Sequence, residues 1–162
     1  MKITTREQLE QIRNHCKKLV TKRALTAGAA SAVPYAVTGI AADVGILLEL
    51  LPKINRAFGL DPDQIDALDE QVKQQIFVLA GSVGSQVIGR AVTKEVVLAA
   101  LKAVGVRTSV KAAASYVPFI GSAVGGALGF AMMKFVGNQH VEECYQLISE
   151  ILNTEVPSRT PA

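Results

Sequence analysis

Few residues in this chain combine the type and the spacing that chemistry needs. His140 and Cys144 stand four apart, so on a helix they share one face, as two metal ligands can. His15 and Cys16 would approach them only if the first and last helices pair antiparallel. Two such residues on an apolar stripe are usually core packing, so neither a metal nor any other cofactor is expected. The two histidines sit near opposite ends of the chain, which leaves no Ser/His/Asp or Cys/His relay to draw. Asp43 stands alone among apolar neighbours. Such a buried carboxylate acts as a proton relay in a bilayer or, more simply, caps a helix end. With no GxxxxGK[ST] loop there is no phosphate cradle either. The expectation is a protein that is not an enzyme.

The elements that must hold these residues read as helices throughout. Thr4 and Thr5 before Glu7 and Gln8 form a capping-box pattern. Leu9, Ile12, Cys16, Leu19 and Val20 then recur at helical spacing, giving a basic amphipathic helix over 1–23. Residues 24–42 carry no charge and are interrupted by Pro34. A helix after Pro34 carries Asp43, Leu47, Leu48, Leu51 and Ile54, with Pro52 as a kink and Gly59 as its stop. Asp61-Pro62 starts the next helix, expected to turn apolar between Gln74 and Gly89. Thr93 caps a short helix ending near Gly105, and another is expected from Ser109 to Tyr116. A second amphipathic helix over 138–152 uses Val141, Cys144, Tyr145, Ile148 and Ile151 or Leu152, followed by a loose tail over 153–162. No period-two alternation supports a strand. The fold class is therefore all-α: one helical bundle over 1–152, with a Gly/Ala-rich core at 24–137 between amphipathic terminal helices.

Composition sharpens this reading. Of 162 residues 49% are hydrophobic, yet aromatics are only 5% and Trp is absent, so the packing is built from small and aliphatic side chains. Three glycines, Gly121, Gly125 and Gly129, repeat every four residues inside the uncharged stretch 112–133, and Gly81, Ser85 and Gly89 repeat likewise. Glycine in a helix costs about 0.5–1 kcal/mol relative to alanine, so each set implies a face where another backbone comes close. That close approach serves a bilayer or a water-soluble bundle equally well.

Charge is asymmetric. Residues 1–23 hold seven bases against Glu7 and Glu10, whereas 61–70 hold five acids and no base. Lys17, Lys18, Lys22 and Arg23 are candidates for contact with an anionic membrane surface or a protein partner. The plainer alternative is that basic and acidic elements face one another within the fold. The aromatic-poor, mixed-charge surface gives no nucleic-acid signature. Two cysteines without C-x-x-C spacing, and no cleavable leader, fit a cytoplasmic protein with reduced thiols, at or within the inner membrane if it is membrane-bound.

The stretch ASAVPYAVTGIAADVGILLELLPKINRAFGL resembles the opening of a bacterial helical domain of unknown function (YcjF-like) found after GTPase domains. The stretch YVPFIGSAVGGALGFAMMKFVGNQHVEECY is similar to the helical C-terminal region of the immunity-related GTPases. Pro34, Asp43, Phe58, Gly59, Pro118, Gly121, Gly125 and Gly129 are the matching positions. The resemblance implies an all-helical module linked to GTPases and membrane surfaces, with any GTPase domain supplied separately. Three functions stay open: a non-enzymatic membrane-associated module, a soluble adaptor for a protein partner, and a pore-former. Homo-oligomers are compatible with each.

Overall fold

The first helix starts where its threonines dictate. In the computed structural model, which describes residues 3–31, 37–102 and 122–155, Gln8 N–H donates to Thr5 Oγ1 at 3.2 Å. Thr4 N–H donates to Gln8 Oε1 at 3.1 Å. Helix α1 (Arg6–Ser31) does not stop at Arg23. It continues through the alanine-rich 24–31, where no proline or charge cluster opposes the helix. Helix α2 (Val37–Phe58) contains Pro52 in its interior. It ends at Gly59, φ 76°, with Gly59 N–H on the Arg56 carbonyl and Leu60 N–H on the Asn55 carbonyl. That pair of bonds is a Schellman motif, and only glycine takes its left-handed position without strain.

The expected helix from Asp61 to Gly89 is instead two pieces. A short α3 (Pro62–Asp66) follows Asp61, whose N–H donates to Gln64 Oε1 at 3.2 Å. Then α4 (Glu70–Ser82) ends in a second Schellman closure. Gly84, φ 72°, donates to Gly81 and Ser85 donates to the Ala80 carbonyl. Gly81, Ser85 and Gly89 therefore do not share a helix face. Gly81 has no atom within 4 Å of a would-be Cβ, and Gly89 lies in the 83–93 turn segment with φ 70°. The segment's last residue, Thr93, takes the N–H of Val96 at 3.4 Å and caps helical residues 94–102, α5.

The last helix, α6 (Ser122–Glu155), is one rod. Nothing between Met133 and Val141 breaks it, so the expected division near 137 is absent, and helix persists into the 153–155 stretch expected to be loose. The expected helix 109–116, together with Pro34, Gly105, Pro118, Gly121 and 156–162, lies outside the described residues. So do the surroundings of Asp43, which sits inside α2 rather than at its end, and of Gly125 in α6. Among the described residues every regular element is a helix, and no helix is long and apolar enough to cross a membrane.

Helix α1 runs antiparallel to α6. Arg6 meets Asn153, Glu10 meets Tyr145, Arg13 meets Glu142, and Val20 meets Gly137. Between them and α2 lies the core: Leu9, Cys16, Val20 and Ala24 from α1, Leu47, Leu51, Ile54 and Phe58 from α2, and Met133, Val141, Cys144 and Leu147 from α6. The closest approach falls at Gly137, where a Cβ would stand 2.7 and 2.9 Å from the two methyls of Val20. Gly137 continues the four-residue spacing of Gly129 and Met133, all buried.

Valine is locked at χ1 in a helix, so Val20 has no rotamer in which to yield to a new methyl at position 137. Gly137→Ala is expected to destabilise the protein by about 1–2 kcal/mol, overpacking outweighing the gain in helix propensity. In the Val20→Ala background the same change is expected to be neutral or stabilising, giving a coupling of about 1 kcal/mol or more in a denaturant double-mutant cycle. Additive effects would show that the two helices do not touch there.

Candidate functional site

Asn55 is a fully buried polar residue one turn beyond Leu51 on the apolar face of α2. It survives there because its neighbours satisfy it, as buried amides require. Its Nδ2 donates to the Val87 carbonyl at 3.3 Å, which turns Oδ1 toward α6. There His140 Nε2 lies 2.8 Å from Asn55 Oδ1, and Cys144 Sγ lies 3.8 Å from the same oxygen. His140 and Cys144 thus share a face as their spacing predicts, Sγ to Nε2 being 3.7 Å. The Asn55 amide oxygen is what joins them.

The second ring nitrogen of His140 looks the other way. Nδ1 is 3.5 Å from Glu143 Oε2 and, buried, has no hydrogen-bond partner among the described residues. Glu143 Oε1 accepts from Gln139 Nε2 at 3.0 Å. Burial pushes the Glu143 carboxyl up, but the polar groups of His140, Ser85 and Gln139 outweigh it and hold the carboxyl below the ordinary range. Both residues line a cavity of about 170 Å³, together with Gly84, Gln86 and Val87 of the turn segment, Ala99 and Ala100 of α5, and Leu51 and Val136. Gly84, whose left-handed backbone ends α4, is one of these lining residues.

The cysteines are inert where they stand. Burial pushes the Cys144 thiol well above its ordinary value and that of Cys16 up to about 11. Thiolate, the reactive form, is scarce in both. Both cysteines are free, and among the described residues no group of three His, Cys, Asp or Glu residues could hold a metal ion.

The basic face of α1 divides. Lys17 and Arg13 both pair with Glu142, Arg13 through a two-pronged contact at 2.8–3.2 Å. Arg13 also lies over the Tyr145 ring at 4.5 Å. Arg23 pairs with Glu49 of α2 at 3.1 Å. Lys17 and Arg23 are thus paired within the fold. Lys18 and Lys22 are exposed beside Leu25, which is 61% exposed, and with Asn14, Lys17 and Thr21 they border a shallow groove. Asn55, Glu142, Glu143 and Gly137 were not picked out from the sequence. A polar residue in step with Leu47, Leu51 and Phe58 is the signal that marks Asn55.

Against known proteins, the chain is 27% identical over 155 residues to interferon-inducible GTPase 5 of Bos taurus. The match takes in 92% of this chain but 33% of that protein, so the chain spans about a third of the relative's length. No family model matches the chain, so the YcjF-like resemblance gains no support, and no solved structure matches.

Burial pushes the Glu142 carboxyl up, but hydrogen bonds and charge from Arg13 and Lys17 prevail and depress it. A carboxylate with a depressed folded-state pKa adds stability that is complete above its unfolded value, about 4.3, and is lost as pH falls through the lower folded value. Thermal stability is expected to hold to about pH 5 and to fall progressively below about pH 4. Glu142→Gln is expected to cost on the order of 1 kcal/mol at neutral pH, a deficit that shrinks below pH 4 in melts across the range. A deficit independent of pH would show that the ion pair contributes nothing.

Proposed function

We propose that this chain is a non-catalytic helical module that works beside a GTPase domain, binding protein rather than turning over substrate. The similarity to interferon-inducible GTPase 5, spread over nearly the whole chain, carries the reading. It is supported by the lack of a phosphate-binding loop. The size of the His140 cavity, about 170 Å³, agrees with it, since drug-sized ligands occupy roughly 300–1,000 Å³. The inert, buried thiols favour it as well.

The full chain, used as bait in lysate loaded with GDP or with a non-hydrolysable GTP analogue, is expected to enrich a P-loop GTPase in one nucleotide state. The chain alone is expected to bind neither nucleotide. Failure to enrich any P-loop protein in either state, or micromolar GTP binding by the chain itself, would overturn the proposal.

A second reading, attachment to an anionic membrane surface, rests on exposed Lys18 and Lys22 beside exposed Leu25 on one side of α1. Each basic residue at such a surface contributes about 1 kcal/mol. Lys18→Glu/Lys22→Glu is expected to weaken co-sedimentation with phosphatidylserine vesicles by roughly thirtyfold or more, and raised salt to weaken it in the parent. Binding indifferent to both would dismiss this face.

A further inference from the structure

Two surfaces of opposite charge have groups without an ion pair among the described residues. On α1, Lys18 and Lys22 are exposed one turn apart and meet no acid there, whereas Lys17 and Arg23 beside them are paired with Glu142 and Glu49. With Asn14, Thr21 and Leu25 the two free lysines border a shallow groove, and Leu25 is 61% exposed. The second surface is the segment 61–70, with five acids and no base. Arg56 pairs with Asp61, and Lys73 lies 4.0 Å from Glu70. Asp66 and Asp69 are exposed and meet no base among the described residues. Between them stands Leu68, 38% exposed.

The two surfaces do not neutralise each other within one molecule. Arg6, at the start of α1, meets Asn153 at 2.5 Å, and Gln75 of α4 meets the next residue, Thr154, at 3.0 Å. The acidic segment leads into α4 at Glu70, so it lies toward the end of the bundle where α1 begins. Lys18 and Lys22 stand twelve and sixteen residues further along α1 than Arg6, about 18 and 24 Å at the helical rise. That is roughly twice the screening length of about 8–10 Å in physiological salt or more. An anionic membrane would answer the lysines alone and leave the acids as they are. A second copy answers both surfaces in one contact and sets one exposed leucine against another. We propose that the Lys18 and Lys22 face of α1 docks on the Asp66 and Asp69 surface of a second copy, with Leu25 and Leu68 at the contact. The contact joins unlike surfaces, so each copy offers one and accepts the other. Self-association through them is independent of any GTPase partner.

The test is sedimentation equilibrium of the full chain from roughly 20 μM to 1 mM, in about 50 and about 500 mM NaCl. A contact of this size is weak, so a dissociation constant on the order of hundreds of micromolar is expected in low salt. High salt is expected to weaken it by about tenfold or more. Lys18→Glu/Lys22→Glu and Asp66→Lys/Asp69→Lys are each expected to weaken it by about tenfold or more, because like charges then face one another. An equimolar mixture of the two variants restores matched surfaces and is expected to associate about as tightly as the parent. Asp69 precedes α4 but its side chain makes no capping bond, so no such bond is lost. Asp63→Lys/Asp66→Lys, also at exposed positions, stands in if Asp66→Lys/Asp69→Lys does not melt like the parent. A parent that stays monomeric at the highest concentration in low salt would overturn the proposal. So would association indifferent to salt or to either variant, or a mixture of two folded variants that does not associate. A monomer that co-sediments with phosphatidylserine vesicles assigns the lysine face to lipid and overturns it as well.

Discussion

The close antiparallel approach of α1 and α6 sets the geometry of everything else. At Gly137 the two helices come so near that a methyl group would overlap Val20, and the side chains above and below are spaced by that contact. The apolar seam contributes the larger share of the stability. A fully buried Leu or Val stabilises by about 1.5–3 kcal/mol, while an ion pair with partial exposure stabilises by about 0.2–1 kcal/mol. Leu9, Cys16, Val20, Val141, Cys144 and Leu147 are buried along it. Arg13, Lys17 and Glu142, which retain 28–38% side-chain exposure, set the register of the two helices more than the depth of the energy well.

Helix α2 packs in the groove of this pair and brings a different constraint. Its apolar face contains one amide, Asn55, and a buried amide fixes orientation because its four hydrogen-bonding sites need particular partners. Val87 from the turn segment, His140 and Cys144 meet that need from two sides. The amide therefore ties three parts of the chain to one arrangement, as a purely apolar contact would not. His140 is held between two partners: one nitrogen meets Asn55, while the other lies 3.5 Å from Glu143 Oε2.

The sequence carried the parts of this that depend on local periodicity. The stripe from Leu9 to Val20 and the spacing of His140 and Cys144 placed their residues on the correct faces, and Gly59 and Thr93 marked helix ends that the structure confirms. Two things failed for identifiable reasons. Gly81, Ser85 and Gly89 have a helical spacing, but Gly84 between them takes φ 72° and ends the helix first; spacing alone does not reveal backbone sign. The division expected near 137 is absent because nothing there caps or breaks the helix, so α6 runs on as one rod. The candidate site was half legible. His140 and Cys144 were visible as a pair, but their partner Asn55 is 85 residues away from His140, a contact that only tertiary packing makes.

The position of the site follows from the division of labour among the helices. Asn55, Gln139, His140 and Glu143 stand on α2 and α6, the long helices whose mutual packing holds them rigidly. Gly84, Gln86, Val87, Ala99 and Ala100 come from the turn segment and α5, which are held to α2 through the Val87 carbonyl on Asn55. A site whose polar groups stand on long packed helices keeps its hydrogen-bond geometry fixed. The antiparallel pair of α1 and α6 supplies the frame on which that geometry is built.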